Sequence, residues 1–130
     1  MSRRGLAVFA FTAVLGLAGT AAGCSSTPST HQDVATFTKT IQTPGTVVID
    51  VRTAAEYAAG HIASAQNIDV DSGNFAQQIA GLDKAANYAL YCHSGRRSGN
   101  ALTIMKDAGF SHVVDLDGGI QTWTAPLTTS

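Results

Sequence analysis

An α/β protein built on a parallel sheet is what the sequence predicts, and three observations predict it. Runs at Thr46–Val51, Ala89–Tyr91 and His112–Leu116 are apolar almost throughout, as strands covered on both faces must be. Helix-period patterns separate them at short spacing, so the strands are joined by crossovers that place helices on both sides of the sheet. The third observation is a junction. Tyr88–Tyr91 runs through Cys92, His93, Ser94 and Gly95 into Arg96, Arg97 and Ser98. There a strand's carboxyl end meets a helix's amino end, on the rim where such sheets bind ligands.

The elements follow in order. Val34, Phe37 and Ile41 lie at helical spacing behind Asp33, an N-cap residue. Pro44-Gly45 makes a turn into the β-branched strand Thr46–Val51, placed centrally by its hydrophobicity. Thr53 and Glu56 form a capping-box pattern that starts a short helix ending at Gly60. A short strand is expected near Asn67-Ile68, a short helix over Asn74–Ile79, and a turn at Asp83-Lys84. Ala101, Leu102, Ile104, Met105 and Ala108 give a helix from Ser98 to Ala108, stopped by Gly109. Gly118-Gly119 opens a last helix through Trp123, ended by Pro126.

The junction carries the chemistry. A free thiol is only about 3% ionised at pH 7, yet the thiolate is the useful species. A helix amino terminus offers unpaired N–H groups and roughly half a positive charge. Gly95 lets the loop curl so that successive N–H groups converge on one point. Arg96 and Arg97 add fixed positive charge. Lowering the thiol pKa by ~2 units requires about 2.7 kcal/mol of preference for the charged form, within reach of a helix end and one arginine.

The amino terminus is an address. Arg3 and Arg4 precede an apolar stretch from Leu6 to Ala18, of signal-peptide length and too short for a comfortable membrane span. Thr20-Ala21-Ala22-Gly23-Cys24 resembles a bacterial lipoprotein cleavage site, except that Ala21 stands where leucine is commoner. The expected organisation is a signal peptide over 1–23, a lipidated tether over 24–32 beginning at Cys24, and a domain over 33–126. The protein is then exported and anchored to the cell membrane by lipid on Cys24. The polar tether is short, spanning on the order of 16 Å. With Cys24 lipidated, Cys92 is the sole remaining thiol. Exported proteins usually pair their cysteines, so a solitary one points to reactivity.

The chain has 130 residues, enough for one domain, with 13% charged and 7% aromatic residues. Setting aside Arg3 and Arg4 leaves six basic against nine acidic residues. This excludes the broad basic field of a nucleic-acid binder, and anion affinity must be local to Arg96 and Arg97.

Three ordered motifs resemble the rhodanese family. Asp50-Val51-Arg52, then Glu56-Tyr57 and Gly60-His61-Ile62, is similar to its first signature. Cys92-His93-Ser94-Gly95-Arg96-Arg97-Ser98 is similar to its active-site loop, and Gly118-Gly119-Ile120 with Trp123 to its final helix. The resemblance spans about Asp33 to Trp123 and implies a rhodanese-like fold, a five-stranded parallel sheet with helices on both faces. It implies a sulfurtransferase that moves a sulfane sulfur through a Cys92 persulfide, from a small anion such as thiosulfate to a thiol or cyanide acceptor. No metal or organic cofactor is required. Arg97, at the family's loop-arginine position, is expected to bind the donor's sulfonate with Arg96 as helper, and the backbone from His93 to Ser98 to hold the anionic sulfur. Ser64 stands where the family usually has glycine, and Asp69 where it often has proline. Four residues separate Cys92 from Arg97, as in sulfurtransferases. The related dual-specificity phosphatases have five and a wider cradle.

The alternative function is a non-enzymatic, membrane-tethered persulfide carrier or redox sensor. Among the other polar residues, Asp50 and Arg52 are expected in structural ion pairs, Glu56 as a cap, and His61 as a satisfied structural histidine. Trp123 is expected in the core. His93 is placed either to tune the nucleophile or to face solvent. His31 and His112 stand isolated in the sequence.

Overall fold

The computed structural model describes residues 29–130. The proposed signal peptide, Cys24 and most of the tether lie outside the described residues. Elements run β1 (His31–Gln32), α1 (Val34–Gln42), β2 (Thr46–Asp50), α2 (Ala54–Ala59), β3 (Gln66–Asn67), α3 (Phe75–Ala80), β4 (Asn87–Tyr91), α4 (Arg96–Asp107), β5 (His112–Leu116) and a 3₁₀ turn at Gly119–Thr122. The five strands form one sheet in the order β1-β5-β4-β2-β3, and every pairing is parallel.

That order positions the site. The chain leaves β2 toward β3 on one side and leaves β4 toward β5 on the other. The two crossovers diverge between β2 and β4, which opens a crevice at the carboxyl ends of these strands. Cys92 follows β4 directly and lies at that crevice.

Alternation along the strands sorts the core into two layers. Ile49, Val51, Tyr88, Leu90 and Cys92 face α3 and α4, with Phe75, Ile79, Ala101, Leu102 and Met105. Val48, Ala89, Tyr91 and Leu116 face the other way, against Phe37 of α1 and Ile62. Phe37 is fully buried, which stabilises by about 1.5–3 kcal/mol, and meets Trp123 edge-on at a ring-centroid distance of 6.5 Å.

Local chemistry sets the helix starts. The Asp33 carboxylate accepts from the Thr36 N–H at 2.7 Å, and this bond holds its pKa below the ordinary value. Thr53 and Glu56 form the full capping box, with Glu56 accepting from the Thr53 N–H at 3.1 Å.

Three expectations need correction. The segment read as tether through Gln32 ends in strand β1: His31 pairs with Asp115 and Gln32 with Leu116. The strand is only two residues long and too polar to stand out. The last helix is a single 3₁₀ turn that stops before Trp123, since its amides serve the Cys92 loop rather than a helix of its own. The tail also continues past Pro126, where Thr128 exchanges two backbone hydrogen bonds of 2.8 Å with His61.

Candidate active site

Cys92 is 1% exposed and sits in a loop shaped by two glycines. Gly95, the N-cap of α4, has φ +98°, which turns its N–H onto the Cys92 sulfur at 3.0 Å. Gly119 has φ +65° and passes so close beneath the loop that a Cβ there would lie 2.5 Å from the His93 carbonyl carbon and oxygen. This approach lets the Ile120 and Gln121 N–H groups donate to the Cys92 and His93 carbonyls, at 2.8 and 3.3 Å. The carbonyls are thus tied down to the 3₁₀ turn while amides remain for the sulfur. The Gly-Gly pair, read from sequence as a helix start, is the floor of the site.

Burial alone pushes the Cys92 thiol up. The Ser98 N–H and hydroxyl, with the N–H groups of Gly95 and Ser94, outweigh it, and the thiol is held below its ordinary pKa. Ser98 is wholly buried, and its Oγ lies 3.6 Å from the sulfur. Of the expected sulfur-holding residues, Ser94, Gly95 and Ser98 therefore converge on Cys92. His93 is exposed, and its Nε2 lies 2.6 Å from the Gln121 amide nitrogen, so its side chain faces solvent.

The two arginines divide. The Arg97 guanidinium donates to both Glu56 oxygens, at 2.9 and 2.8 Å. Its fork is engaged by Glu56 and fastens the first turn of α4 to α2. The same bond lowers the Glu56 carboxyl to about 2 and raises Arg97. Arg96 is exposed and makes no ion pair among the described residues. With Asp71, Arg97 and Asn100 it lines a small recess.

Asp50, Arg52 and His61 are structural, as expected. Arg52 grips Asp50 with Nη2–Oδ2 at 2.5 Å and Nε–Oδ1 at 2.9 Å, and donates to the Gly60 carbonyl at 2.7 Å. His61 stacks on Tyr57 at 3.7 Å, with its Nδ1 2.8 Å from the Tyr57 carbonyl. Sequence reasoning missed Asp115, which is 1% exposed and accepts from Ser98 Oγ at 2.9 Å. It also missed His31, whose Nδ1 lies 2.6 Å from the other Asp115 oxygen. Only the β1–β5 register brings these two together, and no local pattern announces it.

A buried strand-end cysteine with amides converging on its sulfur is what the active-site-loop motif implied; the Gly-Gly floor beneath it is what the structure adds. The rhodanese-like domain model matches residues 33–126. The chain belongs to the rhodanese-like family. It is 42% identical over 79 residues to the thiosulfate sulfurtransferase GlpE of Pseudomonas fluorescens, covering 61% of this chain and 71% of that one. It is 40% identical over 80 residues to the probable adenylyltransferase/sulfurtransferase MoeZ of Mycobacterium tuberculosis, covering 62% of this chain and 20% of the relative. Among solved structures, a rhodanese-related protein from Thermoplasma volcanium superposes with a TM-score of 0.68 at 28% identity, covering 77% of this chain and 98% of that one. The chain has the rhodanese-like fold and is a rhodanese-type enzyme.

Proposed function

We propose that the protein transfers a sulfane sulfur from thiosulfate or a similar anion to a thiophilic acceptor through a Cys92 persulfide. The observation that carries this reading is the Gly95 N–H on the Cys92 sulfur at 3.0 Å, in a loop whose amides and Ser98 hydroxyl favour the thiolate. The thiolate attacks the outer sulfur of thiosulfate, the S–S bond of the donor breaks, and sulfite leaves with its electron pair. The negative charge moves onto the terminal sulfur of the persulfide. Cyanide or a thiolate then attacks that sulfur and regenerates the Cys92 thiolate. Arg96, exposed beside the loop and not drawn into an ion pair among the described residues, is the better-placed group for the donor's sulfonate. Arg97 positions the helix start.

The test is sulfite release from thiosulfate plus a thiophile, with mass spectrometry of the intact chain after thiosulfate alone. A gain of one sulfur atom, absent in Cys92→Ser together with all turnover, is expected. A Cys92→Ser chain that still turns over overturns the proposal. Persistent persulfide with no turnover on small donors would instead indicate a carrier.

We further infer that the protein is exported and held at the membrane by lipid on Cys24. The support is sequence alone: Arg3-Arg4, the apolar Leu6–Ala18 and the small residues before Cys24. Incorporation of labelled fatty acid, lost in Cys24→Ala, is the expected result.

A further inference from the structure

A line of polar groups runs from the sulfur to the surface, and sulfur transfer as written above uses only its first member. Cys92 Sγ lies 3.6 Å from Ser98 Oγ, and that oxygen lies 2.9 Å from Asp115 Oδ2. Asp115 Oδ1 lies 2.6 Å from His31 Nδ1, an ion-pair contact off the line of a hydrogen bond. Three of the four side chains are closed to solvent: Cys92, Ser98 and Asp115 are at most 1% exposed. The His31 side chain is 58% exposed. Asp115 shares the sheet face of Cys92, because its register partner Leu90 and its neighbour Val113 both belong to that layer.

Ser98 carries one hydroxyl hydrogen, and three acceptors compete for it: Asp115 at 2.9 Å, the Gly95 carbonyl at 3.2 Å and the sulfur at 3.6 Å. If Asp115 is a carboxylate it takes that hydrogen, and Ser98 can then only accept from a protonated thiol. If Asp115 is a neutral acid it donates to Ser98 Oγ, and Ser98 turns its hydrogen to a thiolate. The two arrangements carry the same net charge and differ by one concerted shift: the S–H proton moves to Oγ as the Oγ proton moves to Oδ2.

We propose that Asp115 is the proton partner of Cys92, taking the thiol's proton through Ser98 so that the resting site holds a thiolate beside a neutral carboxylic acid, with His31 linking that acid to solvent. Asp115 touches no substrate and acts as a positioning residue. The charged and titratable groups around it fit this role. From β1, His31 is its only ionisable contact, and it favours the carboxylate, against the burial that favours the acid. From α4 it receives the uncharged Ser98, while of the two permanent cations of that turn Arg97 is spent on Glu56 and Arg96 is exposed to solvent. Along its own strand end, Asp117 is a like charge that disfavours ionisation. Burial pushes the Asp115 carboxyl above its ordinary value, while the Cys92 thiol is held below its own, so the two move toward a match.

This rests on Cys92 being the reactive thiol, but the two ideas fail separately, because the decisive measurement needs no sulfur donor. Infrared difference spectra of the full chain at neutral pH should show a protonated-carboxyl stretch that is missing from Asp115→Asn. The band should also vanish in Cys92→Ser, whose hydroxyl is too weak an acid to give its proton to a carboxylate, and when wild-type Cys92 is capped with a neutral methylthio group. In Ser98→Ala the band should be lost, and the pH midpoint of Cys92 alkylation should rise by about one unit for one hydrogen bond removed from a thiolate. A band that survives both Cys92→Ser and capping overturns the proposal, since Asp115 is then protonated for its burial alone. So does the absence of any protonated carboxyl in the wild type.

Discussion

The strands on either side of the cysteine strand each carry a buried aspartate at or next to the carboxyl end, and the two are finished differently. Asp50 on β2 is wholly buried and clasped by Arg52 through both oxygens, at 2.9 and 2.5 Å, with the Arg52 N–H also on Oδ1 at 2.9 Å. Its partner cannot lose its charge. Asp115 on β5 is equally buried but meets a hydroxyl and an imidazole, both able to change what they offer. Strand alternation adds a second difference. Asp50 shares a sheet face with Val48 and stands opposite Tyr91, whereas Asp115 lies on the face of Cys92. The lesson is that one carboxylate is a wall, closed by a fixed cation away from the sulfur. The other is open to proton exchange and faces the sulfur through a single side chain.

The sharpest way to break this contrast is to remove the partners and measure stability by denaturant unfolding. Arg52→Met leaves a charge buried without compensation and is expected to cost about 3–5 kcal/mol. Asp115→Asn keeps the shape and removes no fixed cation, and is expected to stay within about 1 kcal/mol of wild type. Equal losses at both sites would mean that Asp115 is a structural ion-pair member like Asp50. The floor at Gly119 comes next. A Cβ at φ +65°, 2.5 Å from the His93 backbone, combines left-handed strain with a backbone clash. Gly119→Ala is expected to cost about 3 kcal/mol and to slow sulfur transfer, because the loop carbonyls lose their tie to the 3₁₀ turn.

How much of this was legible in the sequence follows the same division. The Asp50 wall was readable: Asp50 and Arg52 are two residues apart, inside a recognisable signature, and the Thr53–Glu56 box announced its own cap. The thiolate loop was readable too, because strand, Gly95 and helix start are contiguous. The Asp115 side was not. It depends on a two-residue strand with no hydrophobic period, and on a register that joins His31 to Asp115 across the whole domain. The Arg97–Glu56 pair was hidden for the same reason. Glu56 was seen only in its local capping role, and an ion pair between helices distant in sequence leaves no spacing signal. Gly119 was found but misread, since a glycine required by close approach looks the same in sequence as one that starts a helix.

A smaller effect separates the site's two perturbed carboxyls by the sign of their pH dependence. Glu56 is lowered from 4.5 to about 2 by the Arg97 bond, so its contribution is fully present above pH 4.5 and is lost as pH falls toward 2. The pair is partly exposed, with side chains 20% and 35% accessible, and solvent screening keeps its contribution on the order of 1 kcal/mol. Asp115 is raised above its ordinary 3.8, so its contribution is present below that value and is lost as pH rises through the folded-state value. Unfolding curves collected from acid to neutral pH should therefore diverge in opposite directions. Glu56→Gln should lose stability relative to wild type as pH increases through the carboxylate range, and Asp115→Asn should gain it. A parallel offset for Asp115→Asn at every pH would show that its proton affinity is unchanged by folding.

The smallest expected effect tests whether the Asp50 side is mechanically separate from the sulfur. The connection from His61 to Val70 leans on that wall: the Ile68 N–H donates to the Asp50 carbonyl at 3.0 Å, and the Asn67 amide to the Asp50 and Arg52 carbonyls at 3.0 and 2.8 Å. Within it Ser64 holds φ +66°, alone among the non-glycine described residues in the left-handed region, at the position where the family's usual glycine carries no such strain. Relieving about 1–2 kcal/mol of left-handed strain, less the greater freedom glycine has when unfolded, leaves Ser64→Gly about 0.5–1 kcal/mol more stable than wild type. The pH midpoint of Cys92 alkylation should not move, because no residue of this connection hydrogen-bonds to the Cys92, Ser98 or Asp115 side chain. A shifted midpoint would show that strain stored beside Asp50 reaches the thiolate, and the two aspartates would then have to be treated as one coupled unit.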